Sequence, residues 1–460
     1  MKVGVVTLGC DKNTVDSERV LAELAAHGLE PVHALEEAEL IVVNTCGFID
    51  AAKQESIEAI VEAGRLKVTG ACTILAAVGC MVERHKGELA AELPEVDFFL
   101  GTSEMDRLAA ELGARGALDG GFTAHPGVRL YAGDLPHVRY LKVSEGCDHG
   151  CAFCAIPLMR GKHRSFALDQ VVREAQMLEL QGAREVNLVA QDLAHYGRDA
   201  RGSAQLPELL EALLAETTIP WFRLLYIYSA GLTPRLLELM AREPRIVPYL
   251  DMPIQHGSDA VLARMRRPER GKTIRSTVAR VRDALPGVAI RTTCILGFPG
   301  ETPDDVDQLC DLLEEARFER VGAFTYSEQE GTRAAQFADD VPMTEKRERL
   351  ERVTELQRAI TVERYEGQVG RSVRAIVDRS SPGELLQART LWQADDIDGI
   401  THLRGDAPPG AIVDVTIEGV VDDYDFAARL DGVVLAPPAP LLAGRSLPVL
   451  GGITQGTFGR

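Results

Sequence analysis

The sequence contains no stretch of 18 or more purely apolar residues, so no segment reads as a membrane-spanning helix. Its start, MKVGVVTLGC, lacks the basic head, long apolar stretch and small-residue cleavage site of a signal peptide. Together these predict a cytoplasmic protein. Basic residues are in deficit: 50 Lys and Arg against 69 Asp and Glu give a formal net charge of −19. Such a surface repels phosphate backbones and argues against broad nucleic-acid binding. It would steer in a basic partner, while a local basic patch for RNA stays open. Cysteine is sparse and odd in number, with nine at positions 10, 46, 72, 80, 147, 151, 154, 294 and 310. An odd count fits a disulfide framework poorly, and cytosolic thiols are reduced, so several are expected to bind metal.

At 460 residues, 45% hydrophobic and 26% charged, the chain has the composition of two to four globular domains. Residues 1–125 alternate strand and helix signals, with apolar runs at 3–8, 40–43, 73–78 and 96–100 and helical patterns at 14–27 and 51–65. This alternation predicts a parallel sheet flanked by helices. Residues 116–136 are Gly-rich and polar and read as a linker. Between about 135 and 364, strands are expected at 140–143, 185–189, 222–227, 247–251, 290–296 and 320–324. Helices at 168–181 and 302–316 fit between them, which makes a full or partial βα barrel. Residues 343–366 have helical apolar spacing and read as one long helix. Short strands at 373–377, 385–388, 412–417 and 433–435 predict a small β-barrel over 366–435, and a poorly ordered tail is expected over 436–460.

Cys147, Cys151 and Cys154 form a C-x3-C-x2-C run on one loop after the first strand of the central region. Structural zinc usually takes four protein ligands, and no fourth Cys or His follows at finger spacing. His149 lies inside the loop, where the flanking cysteines make it a weak fourth ligand. Three cysteines on a 4Fe-4S cluster leave one iron open, as radical S-adenosylmethionine (SAM) chemistry requires. Phe153 occupies the aromatic position usual in that superfamily's motif.

Cys10, Cys46 and Cys80 each lie just past an apolar run and beside a glycine. In a parallel sheet the carboxyl ends of the strands share one edge, so three such thiols can converge on a second cluster. Cys72, Cys294 and Cys310 lack this arrangement, and the last two fall on a strand and on an apolar helix stripe. The Arg-rich run 264–270 reads as a solvated helix face, with contact to phosphate or SAM as the alternative.

With these trios the sequence resembles the methylthiotransferase family over residues 1–435, in three parts: a cluster domain, a radical SAM partial barrel and a TRAM-type barrel. The runs 9–18 (GCDKNTVDSE), 154–165 (CAIPLMRGKHRS), 249–256 (YLDMPIQH), 297–302 (GFPGET) and 321–327 (VGAFTYS) resemble the branch that modifies a ribosomal protein. The tRNA-modifying branch typically carries Gln-Met-Asn where this chain has Asp11, Lys12 and Asn13. Phe166 and Gly257 depart from the pattern, standing where Arg and Ala are usual. The resemblance implies two 4Fe-4S clusters, on Cys10, Cys46 and Cys80 and on Cys147, Cys151 and Cys154, with SAM contacts at Phe153, Gln255 and Gly297. It also implies an external electron donor. One SAM would methylate a sulfur held at the first cluster. A second, cleaved at the other, would generate the radical that takes a hydrogen from the β-carbon of an aspartate. The substrate would be the twelfth protein of the small ribosomal subunit.

Residues 366–435 carry 13 acidic and 6 basic residues, a net of −7. The groups Asp395, Asp396, Asp398 and Asp422, Asp423, Asp425 read as a face for a Lys/Arg-rich protein rather than RNA. Two other readings remain: a tRNA methylthiotransferase, and a non-catalytic iron–sulfur or zinc protein that binds ribosomes or RNA.

Overall fold

The apolar runs at the start become five parallel strands: β1 (Lys2–Thr7), β2 (Glu30–Pro31), β3 (Leu40–Thr45), β4 (Ile74–Gly79) and β5 (Phe98–Gly101). The computed structural model describes residues 1–116, 118, 129–131, 133, 135–381 and 383–437. Most of the expected linker, and the expected tail beyond residue 437, lie outside the described residues. The strand order is β2-β1-β3-β4-β5, and β3 is buried along its whole length, as a sheet covered on both faces requires. Leu40 and Val42 face Val20, Leu21 and Leu24 of helix α1 (Asp11–Ala26). Ile41 and Val43 face Ile60 of α2 (Asp50–Thr69) and Met81 and Val82 of α3 (Cys80–Glu92). The order reverses between β1 and β3, so a crevice opens there at the carboxyl ends of the strands.

The central sheet runs β13-β12-β11-β10-β9-β6. Its strands are β6 (Val138–Lys142), β9 (Glu185–Val189), β10 (Trp221–Leu224), β11 (Ile246–Asp251), β12 (Ala289–Leu296) and β13 (Arg320–Thr325). All neighbours pair in parallel, which makes an open partial barrel. A two-residue antiparallel ribbon, β7 (Ser144–Glu145) on β8 (Arg164–Ser165), pinches off the cysteine loop. β10 ends before its expected limit because Tyr226 turns to φ 60°, with its N–H held 3.3 Å from the Asp251 carboxylate.

Helix Met343–Glu366 leads into β14 (Ser372–Arg379), β15 (Leu386–Thr390), β16 (Thr401–Arg404), β17 (Ile412–Val421) and β18 (Asp425–Leu435), which close into a barrel. β16 is short and half polar, so its sequence carries little strand signal. Trp392 and Phe426 of the barrel, with Tyr365 of the helix before it, pack against Trp221, Val247 and Tyr249 of the arc. Buried ions lock the joint: Glu185 pairs with Arg223 (2.7 Å) and Arg389 (2.8 Å), and Arg389 with Asp378 (2.7 Å). A second set joins the N-terminal unit to the arc. Glu18 pairs there with Arg139 (3.2 Å) and Arg129 (3.4 Å), and Arg19 with Glu174 (2.9 Å).

This packing corrects the reading of the acidic clusters as a free docking face. Asp398 is buried, accepts from the Ala394 N–H at 2.9 Å and from the Tyr249 hydroxyl, and faces Arg291. Asp395 is half-buried and accepts from Tyr140 at 3.3 Å; burial pushes its carboxyl up to about 7 although Arg389 opposes this. Asp423 pairs with Arg358 at 2.8 Å, and Asp425 accepts the Ile400 N–H at 2.8 Å. Most of these charges serve turns and the domain joint, because the loop that carries the first group is inserted against the arc.

Candidate metal centres at the strand ends

Each N-terminal cysteine sits where a strand stops. Cys10 precedes α1, Cys46 follows β3 and Cys80 opens α3. The flanking glycines let these ends meet. A Cβ on Gly9 (φ +89°) would lie 2.6 Å from the Cys46 Cβ, and one on Gly79 (φ +100°) 2.8 Å from the Thr45 carbonyl. A Cβ on Gly47 would lie 2.8 Å from the Met81 Cα. The Asn13 amide ties the rims by donating to the carbonyls of Leu8 (2.7 Å) and Thr45 (3.1 Å). Burial pushes the Cys46 thiol up to about 12, with Cys10 adding to the effect. Burial likewise takes Cys80 to about 11 against the pull of Arg160.

The central trio occupies the loop between β7 and β8. The Cys147 N–H donates to the Gly161 carbonyl at 3.1 Å. The Ala152 N–H donates to Met265 (2.9 Å), and its carbonyl accepts from Ala334 (2.8 Å). Burial raises Cys147 to about 11 and Cys154 to about 12. Cys151 Sγ lies 2.8 Å from the Tyr228 hydroxyl and 3.8 Å from Arg267 Nη1. Arg267 is buried, which corrects the reading of residues 264–270 as a solvated face. Its guanidinium lies 3.8 Å from the centre of the Tyr228 ring, and that ring stacks on His149 at 3.9 Å.

His149 donates to Asp192 at 2.7 Å. Among the described residues, His149, Asp192 and His195 are the one group of three ligating side chains whose atoms lie within 4.8 Å of one another. Neither cysteine trio is drawn together so tightly. Thiolates on one zinc, at about 2.3 Å each, would sit roughly 3.8 Å apart. The wider spacing and all-thiol donor sets fit polynuclear iron–sulfur clusters.

One short helix links the two trios. Cys80 packs on Ala155 and on Ile156 and Met159 of helix Ile156–Arg160, which begins two residues after Cys154. Arg160, from the same helix, reaches the other side. It donates to Asn13 Oδ1 (2.5 Å), Asp16 (3.0 Å) and Glu145 (3.0 Å). Arg160, Arg267 and Tyr228 carry no spacing signal in the sequence, since they come from three separate segments that meet only once the arc is folded.

Of the expected SAM contacts, Phe153 is partly buried against Ile295, Phe298 and Tyr326. Gln255 has φ 71° and bridges to Cys294 of β12. Gly297, at φ +70°, gives its N–H to the Glu301 carboxylate at 2.9 Å and lies against Lys346. Cys72, Cys294 and Cys310 are buried in the apolar cores.

Three family profiles match in succession: Uncharacterized protein family UPF0004 at residues 2–101, Radical SAM superfamily at 141–313 and TRAM domain at 369–430. The ribosomal protein uS12 methylthiotransferase RimO of Anaeromyxobacter sp. (strain K) is 45% identical over 456 residues, covering 97% of this chain and 96% of the relative. The enzyme of that name from Anaeromyxobacter sp. (strain Fw109-5) is 44% identical, with 98% of each chain covered. Among solved structures, the radical SAM methyltransferase TsrM of Kitasatospora setae aligns with a TM-score of 0.52. It shares 14% identity over 70% of this chain and 72% of its own, a likeness of fold. The chain belongs to the RimO family of radical SAM methylthiotransferases.

Proposed function

We propose that this enzyme replaces a β-hydrogen of an aspartate in ribosomal protein uS12 with a methylthio group, using two molecules of SAM. Cys147, Cys151 and Cys154 would hold the cluster that engages SAM, and Cys10, Cys46 and Cys80 a second, auxiliary cluster. The observation that carries this reading is that two all-cysteine trios meet through one short segment, with Cys80 packed on the residues that directly follow Cys154. When bound, the clusters and SAM supply the electron, the hydrogen-abstracting radical, the sulfur and the methyl group.

The surrounding residues have definable tasks. Arg267 and Arg160 are buried cations that offset the negative charge of the thiolates beside them. Tyr228 hydrogen-bonds Cys151 and orients it. Ala152, Val261, Met265 and Phe298 form a dry wall behind the loop, which keeps water from a reactive intermediate. An external electron donor is needed, and the enzyme acts in the cytoplasm, where ribosomal proteins are found. Among the described residues no helix is long and apolar enough to cross a membrane.

The test is mass spectrometry of uS12 from cells with and without the gene. A methylthio-sized mass increase on one aspartate, present only with the gene, is expected. A thiomethylated tRNA base together with unmodified uS12 would overturn the reading.

A further inference from the structure

The structure places Lys12, two residues after Cys10, unusually. Lys12 is 6% exposed. Among the described residues its ammonium has no ion pair or hydrogen bond; its contact is the Tyr226 ring, 3.1 Å to the centroid. Every other charged group nearby is committed. Tyr226 donates to Asp11 at 3.2 Å, Asp251 takes Arg291 at 3.0 Å, and Arg160 is shared among Asn13, Asp16 and Glu145. Tyr226 itself is held at φ 60°, a strained backbone of the kind that persists where the surroundings enforce it. A buried cation with no direct ion pair is costly, and Asp11 and Asp251 attract this one only from beyond pairing distance. This one lies two residues from Cys10, over the residue that turns the chain after β10.

We infer that Lys12 is the specificity-determining residue that receives the carboxylate of the substrate aspartate, supplying from the substrate the partner the fold withholds. The inference rests on the aspartate-modifying reading above. An ionised side chain would pair with the ammonium beside the N-terminal trio.

The test uses the reconstituted full-length enzyme and two probes: uS12, and uS12 with its modified aspartate changed to Asn. Charged hydrogen bonds contribute enough that wild-type enzyme should bind the Asp form about tenfold or more tightly. K12M should keep its iron and sulfide and lose that preference, with the affinity for the two probes converging. The inference is overturned if wild-type enzyme binds both probes alike, a comparison that needs no variant. It is also overturned if K12M still discriminates, or if K12M loses its iron, which would assign the charge to the cluster. Failure of the proposed function itself would look different, since native uS12 would then not be methylthiolated by wild-type enzyme at all.

Discussion

The two cysteine trios are assembled by opposite routes. The central one lies within residues 147–154, on a single loop closed by the β7–β8 ribbon. The N-terminal one is gathered from the ends of β1, β3 and β4 and exists only once that sheet is in register. A local loop brings its ligands together at small entropic cost, whereas three remote ends depend on the whole sheet. The N-terminal site should therefore be the more easily broken by changes in backbone packing, and the central one by changes in the side chains around its loop.

The largest effect expected is from removing each trio. Changing Cys147, Cys151 and Cys154 together to Ala should remove roughly half the iron, by the ligand count, and abolish 5′-deoxyadenosine formation. Changing Cys10, Cys46 and Cys80 should remove the other half and stop methylthio transfer while 5′-deoxyadenosine is still formed. Iron analysis and product chromatography read both, and equal loss of both activities in a folded N-terminal variant would break the comparison.

Glycine substitution sharpens it. Gly79→Ala puts a Cβ against the Asn44 side chain and 2.8 Å from the Thr45 carbonyl, at φ +100°. It should destabilise the protein by about 2–4 kcal/mol and release the N-terminal iron. Gly150→Ala, in the central loop, meets at nearest the flexible end of Arg266 at 3.3 Å, so its effect should stay within about 0.5 kcal/mol. Thermal denaturation with iron analysis compares the two.

A property shared by both trios gives a pH prediction. Burial raises Cys46 and Cys154 to about 12, and Cys80 and Cys147 to about 11, from an ordinary 9.0. These thiols stabilise the cluster-free fold fully below pH 9, and that contribution is lost as pH rises through 11 to 12. Their labelling by iodoacetamide in cluster-free protein should stay slow at neutral pH and quicken only toward those values. Cluster assembly, which needs thiolates, should release protons and strengthen as pH rises.

The smallest effect concerns tuning. Tyr228→Phe removes the hydroxyl 2.8 Å from Cys151 Sγ. Hydrogen bonds to ligand sulfur help set a cluster's reduction potential, and losing a donor makes reduction harder. A redox titration followed by electron paramagnetic resonance should move the central signal to more negative potential and leave the N-terminal one in place.

Sequence alone determined the features that depend on local order. The alternation of apolar runs and helical patterns foretold the parallel sheet and the arc, and residues 343–366 form the helix their spacing indicated. The central cysteine run was readable because its spacing is itself the geometry, and the N-terminal trio because equivalent strand ends share an edge. Tertiary structure decided the rest. It buried Arg267 and Asp398, which composition had placed in solvent, because side-chain charge says nothing about which loops meet. It brought Arg160 from a central helix to the N-terminal trio and seated Lys12 on Tyr226 without a direct ion pair. Such contacts join residues far apart in the chain, and their energies arise only when folding removes water from between them.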